Sequence, residues 1–447
     1  MTGNRLLIVN AKTVNEGVIS EQDVLIVGDR IAAVGAGLSD ATAEVIDLDG
    51  RLLLPGVIDD QVHFRDPGHP DKATIETESR AAICGGVTSF FDMPNTKPPS
   101  TDRIALAAKK RVAARSSYAN YAFYLGATNT NLEEIRMVTN RDACAIKVFM
   151  GASTGNMLVD DRDVLTKIFQ HARLPVVTHC EDSPMIWAAE NSYRSRYGGD
   201  VPMSAHALIR SAEACYKSSS FAVGLAKRFG TRLHVLHLTT ARELSLFEAG
   251  PVEEKQITLE VCVHHLWFEG SDYERLGSRI KCNPAIKTQA DRDALRAAVN
   301  SDIVDIVATD HAPHTAEEKA RSYFDAPAGL PLVQHMLPAL LELHARGVFS
   351  LEKIVEKTAH NPAKLFGIAE RGFIREGYFA DLVAVDLAGK THVTPEQVRY
   401  RCGWSPFEGE TFSAEILLTI CNGSVVFRDG EVCGGPQGRE LEFVSRT

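Results

Sequence analysis

The stretch VIDDQVHF (residues 57–64) is the first of eight short apolar runs in the central part of the chain. Each run is rich in β-branched or aromatic residues, which is typical of a strand buried on both faces. The other seven are VTSFFDM (87–93), YAFYLGA (121–127), AIKVFM (145–150), PVVTHC (175–180), LHVLHL (233–238), ITLEVCV (257–263) and DIVATD (305–310). The spacers can each hold a helix, for example over 101–116, 161–173, 207–229 and 290–300. This order predicts an α/β fold, a (β/α)8 TIM-type barrel.

Both ends of the chain show a different pattern, in which short β-type runs alternate directly with turns. The first fifty or so residues have this pattern, and it returns in YFADLVAVDL (378–387) and EILLTICNGSVVFRDGEVCGG (415–435). We therefore expect a small β-sandwich domain built from both termini. The expected bounds are 1–54 and 371–447 for its two parts and 55–370 for the barrel.

The composition excludes several classes of function. The 447 residues include 48 Lys and Arg against 58 Asp and Glu, and the net charge of −10 argues against a nucleic-acid binder. No apolar run approaches the ~18 residues of a membrane span, and the N-terminal apolar run is too short for a secretory signal. Nine cysteines without a CxxC pair indicate reduced thiols, so we expect a cytoplasmic protein.

Polar residues at the ends of five of the predicted strands point to a metal site. Active sites of (β/α)8 barrels lie where the strands end, so these side chains should converge at one rim. They are His63, Lys147, His179, His237 and Asp310. Each one alone is compatible with an ordinary structural role, such as that of a hydrogen-bonded core histidine, a snorkelling lysine or a capping aspartate. Their coincidence favours a cation held by imidazole and carboxylate, with zinc first and manganese, cobalt or iron as alternatives.

Lys147 fits such a site only after chemical change. An ammonium group does not bind a divalent cation, and burial within AIKVFM disfavours its charge. A neutral amine can add carbon dioxide to form a carbamate, whose two oxygens can bridge two metals. We therefore hypothesise that Lys147 is carboxylated.

Several motifs together resemble the cyclic-amide hydrolases of the amidohydrolase superfamily. The closest resemblance is to dihydroorotases of the longer class, which are themselves similar to hydantoinases and allantoinases, and it runs from about residue 5 to residue 430. The motifs are PGVIDDQVHFRDPG, GGVTSFFDMPNT, AIKVFM, THCED, LHVLHLTT, KCNPAI, ATDHAPH, HNPAKLFG and GYFADLVAVD. The fold of that family is a (β/α)8 barrel with a small β domain from both termini.

The resemblance implies roles for the five strand-end residues. His63 would bind the more buried metal, carboxylated Lys147 would bridge, and His179 and His237 would hold the second metal. Asp310 would be both a metal ligand and the catalytic proton shuttle. The implied cofactor is Zn²⁺, one or two per chain, with two favoured.

The resemblance also implies a substrate, L-dihydroorotate, which is hydrolysed reversibly to N-carbamoyl-L-aspartate in pyrimidine biosynthesis. Arg65, Asn95 and His314 would bind its carboxylate, and Asn283 would contact the ring. The loop 325–329 would place backbone groups on the ring edge. The family implies a homo-oligomer, with a dimer favoured.

One position departs from the family pattern. The first strand usually carries His-x-His, and here it reads Gln61-Val62-His63. Because an amide oxygen is a poorer zinc ligand than imidazole, the metal count is open. Two alternatives remain: an allantoinase or hydantoinase, and a catalytically inactive scaffold protein. His234 is expected to pack, and His264 and His265 to play structural or supporting roles.

Overall fold

Five strands at the N-terminus open the computed structural model, which describes residues 4–151 and 157–444. They are β1 (Arg5–Asn15), β2 (Val18–Val27), β3 (Arg30–Gly35), β4 (Glu44–Asp47) and β5 (Leu52–Pro55). β1 to β3 form an antiparallel meander. An irregularity between Ile8 and Ala11 divides β1, so that its first half pairs with β4 and its second half with β5.

Eight parallel strand positions follow and form the barrel. They are β6 (Val57–Val62), β7 (Val87–Asp92), β8 (Asn120–Phe123) with its continuation β9 (Leu125–Gly126), β10 (Ile146–Phe149), β11 (Val176–His179), β12 (Leu233–Val235), β13 (Ile257–Cys262) and β14 (Ile306–Ala308). Parallel pairing runs from β6 to β8 and from β9 to β14. A parallel bridge between Val62 and His311 joins the last strand to the first, so the sheet closes.

Helices fill most of the connections. They are α1 (Ile75–Cys84), α2 (Arg103–Ser116), α3 (Leu132–Met137), α4 (Arg162–His171), α5 (Ser183–Tyr197), α6 (His206–Ile209), α7 (Ala212–Phe229), α8 (Val263–Trp267), α9 (Asp272–Leu276), α10 (Gln289–Asn300), α11 (Ala316–Lys319), α12 (Met336–Ala345), α13 (Leu351–Val355) and α14 (Asn361–Phe366). No helix in the described ranges is both long and apolar enough to cross a bilayer.

The C-terminal strands return to the N-terminal ones. They are β15 (Leu382–Asp386), β16 (Thr391–His392), β17 (Thr411–Phe412), β18 (Glu415–Cys421), β19 (Ser424–Arg428) and β20 (Glu431–Val432). β15 pairs antiparallel with β5, which joins the two ends of the chain in one sheet. An apolar core that includes Leu6, Val24, Ile46, Leu382 and Ile420 fills this domain. The predicted barrel and the β-sandwich domain from both termini are confirmed, while the three boundaries stay predictions.

Two predicted elements differ from the observed ones, for local reasons. The strand expected over 233–238 ends at Val235, because His237 has a left-handed backbone with φ of 38°. The helix expected over 207–229 is broken near Arg210, and Ser211 caps a new helix by accepting a hydrogen bond from the Ala214 amide.

A buried ion pair ties helix α2 to the barrel. Lys109 Nζ lies 2.6 Å from Asp92 Oδ2 at the end of β7, and both side chains are almost fully buried. Asp92 also accepts a hydrogen bond from the Phe64 amide, so it links the ends of the first two barrel strands. Removing one partner of such a pair leaves an uncompensated buried charge.

We expect Lys109→Met to lower the free energy of unfolding by about 3–5 kcal/mol, because Asp92 then stays buried without its cation. Urea unfolding measures the change. The control is Lys110→Met, which removes a more exposed pair with Glu440 and should cost less than about 1 kcal/mol. Equal costs for the two variants would contradict this account.

Candidate active site at the barrel mouth

A cavity of about 310 Å³ lies at the carboxyl ends of the barrel strands. All nine predicted site residues line it, although they come from distant parts of the sequence. They are His63, Arg65, Asn95, Lys147, His179, His237, Asn283, Asp310 and His314. The cavity is also lined by Gln61, Phe149, Arg210, Ala312 and the loop residues Pro327, Ala328 and Gly329. The structure therefore brings the predicted residues together, while their roles remain proposals.

His179 and His237 present two ring nitrogens to the same point. His179 Nε2 lies 2.9 Å from the Glu181 carboxylate, so this nitrogen carries the proton and donates it. The lone pair of His179 is then on Nδ1, which lies 3.0 Å from His237 Nε2. Burial lowers the pKa of both histidines, so both rings are neutral. This arrangement fits a cation, since two ligands of a tetrahedral zinc ion are about 3.4 Å apart.

His63 and Asp310 make a second pair of the same kind. His63 Nδ1 donates to Asn95 Oδ1 at 2.7 Å, which leaves Nε2 facing Asp310 Oδ1 at 3.1 Å. Burial raises the pKa of Asp310, but the neighbouring groups, among them His63, His264 and Lys147, outweigh it and the pKa is lowered overall. Asp310 is therefore a carboxylate at neutral pH. A cation between these two atoms satisfies both.

Gln61 occupies the position of the missing histidine and points into the cavity. Its Nε2 donates to Asp310 Oδ1 at 3.0 Å. Its Oε1 is buried and has no hydrogen-bond partner among the described residues. The amide thus stays beside the site, with its weakly coordinating oxygen available.

Lys147 has the environment that its proposed chemistry needs. The side chain is only 1% exposed, and burial lowers its pKa to about 8. Its ammonium nitrogen sits 4.7 Å from the centre of the Phe149 ring. A substantial fraction of neutral amine at pH 7–8 is the form that reacts with carbon dioxide.

Three residues of the cavity have a left-handed backbone conformation, which residues other than glycine rarely adopt. The φ angles are 60° for Arg65, 38° for His237 and 49° for Asp310. Such conformations cost on the order of 1–3 kcal/mol each and persist where the surroundings enforce them. Their clustering at one cavity is typical of a functional site.

Arg65 and His314 form a polar wall on one side. Arg65 Nη2 lies 3.1 Å from His314 Nε2, and Lys72 Nζ lies 3.2 Å from His314 Nδ1. Burial, followed by the charges of Arg65 and Lys72, lowers the pKa of His314 well below its ordinary value. Lys72 is paired with Glu318, whereas Arg65 has no ion-pair partner among the described residues.

Two buried lysines hold the loop 323–329 against the cavity. Lys281 Nζ donates to the carbonyls of Tyr323 and Ala326 at 2.5 and 2.7 Å. Lys319 Nζ donates to three carbonyls, those of Lys281, Pro327 and Gly329, at 2.9–3.0 Å. The part of this loop that lines the cavity is thereby fixed in position.

Comparison with known proteins agrees with this geometry. The model of the amidohydrolase family matches residues 52–426. The chain belongs to the amidohydrolase family. It is 33% identical to a dihydroorotase of Methanothermobacter thermautotrophicus over 91% of each chain, and 32% identical to an allantoinase of Solibacter usitatus over 99% of this chain and 97% of that one. An L-hydantoinase from Arthrobacter aurescens superposes with a TM-score of 0.93 at 30% identity, covering 99% of this chain and all of the other.

The predicted class, a metal-dependent cyclic amidohydrolase, is therefore confirmed, and the substrate is a separate question.

Sequence reasoning missed some residues of this amidohydrolase. It noted THCED only as a supporting stretch, and it did not find Arg210, which pairs with Glu181. It also missed Lys281 and Lys319, because a lysine in a polar stretch looks like an exposed one.

We expect Glu181→Gln to weaken metal binding about 10–100-fold, because Glu181 fixes the proton of His179 on Nε2. Competition against a fluorescent chelator measures the affinity. Glu213→Gln, which alters an exposed carboxylate on α7, serves as the control and should bind metal as the wild type does. An unchanged affinity in Glu181→Gln would show that Glu181 does not orient the ligand.

Proposed function

We propose that this amidohydrolase is a dihydroorotase, which hydrolyses the cyclic amide of L-dihydroorotate reversibly to N-carbamoyl-L-aspartate in pyrimidine biosynthesis. The observation that carries the proposal is the guanidinium of Arg65. It lines the cavity, is partly buried, and has no carboxylate partner among the described residues. A substrate carboxylate supplies the missing anion through charge-assisted hydrogen bonds.

Asn283 supports a ring substrate with N–H groups. Its Oδ1 is buried and has no hydrogen-bond partner among the described residues. A buried acceptor of this kind needs a donor, and a ring N–H of a dihydropyrimidine can provide one. Asn95 and His314 complete the proposed carboxylate site. Asn95 Oδ1 accepts a hydrogen bond from His63 Nδ1.

The metal in this proposal would be zinc, with two ions per chain and Lys147 carboxylated, and the residues that would hold it are His63, Lys147, His179, His237 and Asp310. A bound zinc ion would supply an activated water at neutral pH and polarise the amide carbonyl. Arg65 and Asn283 orient the ring so that the amide faces this part of the cavity.

Asp310 is the proposed proton shuttle. Its carboxylate takes a proton from the attacking water, and the same group then delivers that proton to the departing amide nitrogen. The lowered pKa of Asp310 keeps it ionised before the reaction, as the first step requires.

An allantoinase or hydantoinase is the second candidate, because the comparisons include an allantoinase and an L-hydantoinase at similar identity. Parallel assays of zinc-loaded protein with dihydroorotate, allantoin and hydantoin distinguish the candidates. We expect kcat/KM to be highest for dihydroorotate. A higher value for either neutral substrate would overturn the proposal, and no turnover of any would favour the inactive scaffold.

We expect Arg65→Met to lower kcat/KM for dihydroorotate roughly 10–100-fold, mainly through KM, because the carboxylate loses its charge-assisted hydrogen bonds. Steady-state kinetics with metal analysis measures this effect. Dihydrouracil, which lacks the carboxylate, is the matched control substrate, and its slow turnover should be unaffected. An unchanged KM for dihydroorotate would remove Arg65 from the proposed site.

We expect Gln61→His to increase the affinity for the more buried zinc ion at least about tenfold, because imidazole is a better zinc ligand than an amide. Zinc per chain after dialysis against a weak chelator measures retention. Gln61→Asn, which keeps an amide, is the control. If Gln61→His retains no more zinc than the wild type, this position does not limit metal binding.

A further inference from the structure

Asp60 is a carboxylate inside the barrel whose hydrogen bonds are not satisfied. It precedes Gln61 on β6 and is fully buried, and neither of its side-chain oxygens has a hydrogen-bond partner among the described residues. The buried hydroxyl of Tyr124 donates to the main-chain oxygen of Asp60 instead. A carboxylate in this state is strongly destabilising unless a positive charge lies against it.

Two other fully buried side chains face Asp60 from across the barrel. His234 Nε2 on β12 lies 3.5 Å from Asp60 Oδ2, and it lies 3.9 Å from Glu260 Oε2 on β13. His234 Nε2 and Glu260 Oε2 also lack hydrogen-bond partners among the described residues. The three ligand atoms all lie within 4.8 Å of one another. They are separate from the residues that line the cavity at the barrel mouth.

The hydrogen bonds of His234 determine what faces the carboxylates. The Thr258 hydroxyl donates to the Leu233 carbonyl at 3.2 Å, so its oxygen accepts from His234 Nδ1 at 2.8 Å. Nδ1 of His234 therefore carries a proton, and Nε2 is the atom that faces the carboxylates. Burial lowers the pKa of His234, but the interactions with Asp60 and Glu260 raise it to about 9 overall, so Nε2 holds a second proton when no ion is bound. A cation can take the place of that proton between the three ligand atoms.

The spacing favours an ion over a direct ion pair. A charge-assisted hydrogen bond from imidazolium to carboxylate is about 2.7–2.9 Å long, which is much shorter than 3.5 and 3.9 Å. Ligands on a tetrahedral zinc ion are separated by about 3.4 Å. The second oxygen of Asp60, which is equally unpartnered, can supply a fourth ligand.

We propose that Asp60, His234 and Glu260 bind a structural Zn²⁺ ion inside the barrel, beneath the cavity at its mouth. The site is closed on one side by the ring of Phe366, which packs edge-on against His234. Glu260 also accepts a hydrogen bond from the His237 amide at 3.0 Å through its other oxygen. The ion thus fixes Glu260, which in turn supports the left-handed backbone of His237. This site does not depend on the identity of the substrate.

Anomalous diffraction at the zinc edge, from crystals of full-length protein prepared with zinc, tests the proposal directly. We expect a peak enclosed by Asp60, His234 and Glu260, in addition to any peak at the barrel mouth. A water molecule or no density at this point, with zinc confined to the mouth, would overturn it.

Zinc counts in matched variants give a second test that needs no crystals. Asp60→Asn should lose one zinc per chain after gel filtration in the presence of a chelator. Asp59→Asn is the control, because Asp59 is equally buried but its carboxylate is satisfied by Thr309 and Gln61. A folded Asp60→Asn protein with the wild-type zinc count would contradict the proposal, and if this variant does not fold, the anomalous map of the wild type decides.

Discussion

Buried lone pairs and carboxylates cannot face one another inside a protein unless positive charge lies between them. This constraint applies at the mouth of the barrel, where the lone pair of His63 Nε2 faces the Asp310 carboxylate and the lone pair of His179 Nδ1 faces His237 Nε2. Glu181 and Asn95 place the ring protons of His179 and His63 on the far side of each imidazole. The surrounding structure thereby leaves these two nitrogens free to bind a cation.

The barrel supplies the geometry that the site needs. Parallel strands all end at the same rim of the barrel. Single residues from β10 and β11 therefore meet there with single residues from the chain after β6, β12 and β14, although long segments separate them in sequence. The left-handed backbones of Arg65, His237 and Asp310 turn the chain out of each strand at that rim. The packing of the rest of the fold offsets the free-energy cost of these backbone conformations.

Much of this arrangement was predictable because it depends on strand periodicity and on chemically distinctive residues at strand ends. Buried β-rich runs indicated all eight strands, and His63, His179, His237 and Asp310 stood out against apolar neighbours. Arg210, Lys281 and Lys319 were not predictable, because their burial is created by tertiary packing of polar segments. Asp60 was missed for another reason: an irregularity in the pairing of β6 with β7 between Asp59 and Val62 disturbs simple alternation.

The comparisons establish the family and leave the substrate open, since a dihydroorotase and an allantoinase are almost equally similar. In the proposed function, the guanidinium of Arg65, which has no ion-pair partner among the described residues, selects an anionic ring substrate over a neutral one. The most direct measurement of the central claim is turnover of dihydroorotate by chelator-stripped protein during titration with Zn²⁺. The account predicts no activity in the stripped protein and recovery in proportion to bound zinc. Full activity in protein shown to contain no metal would contradict it.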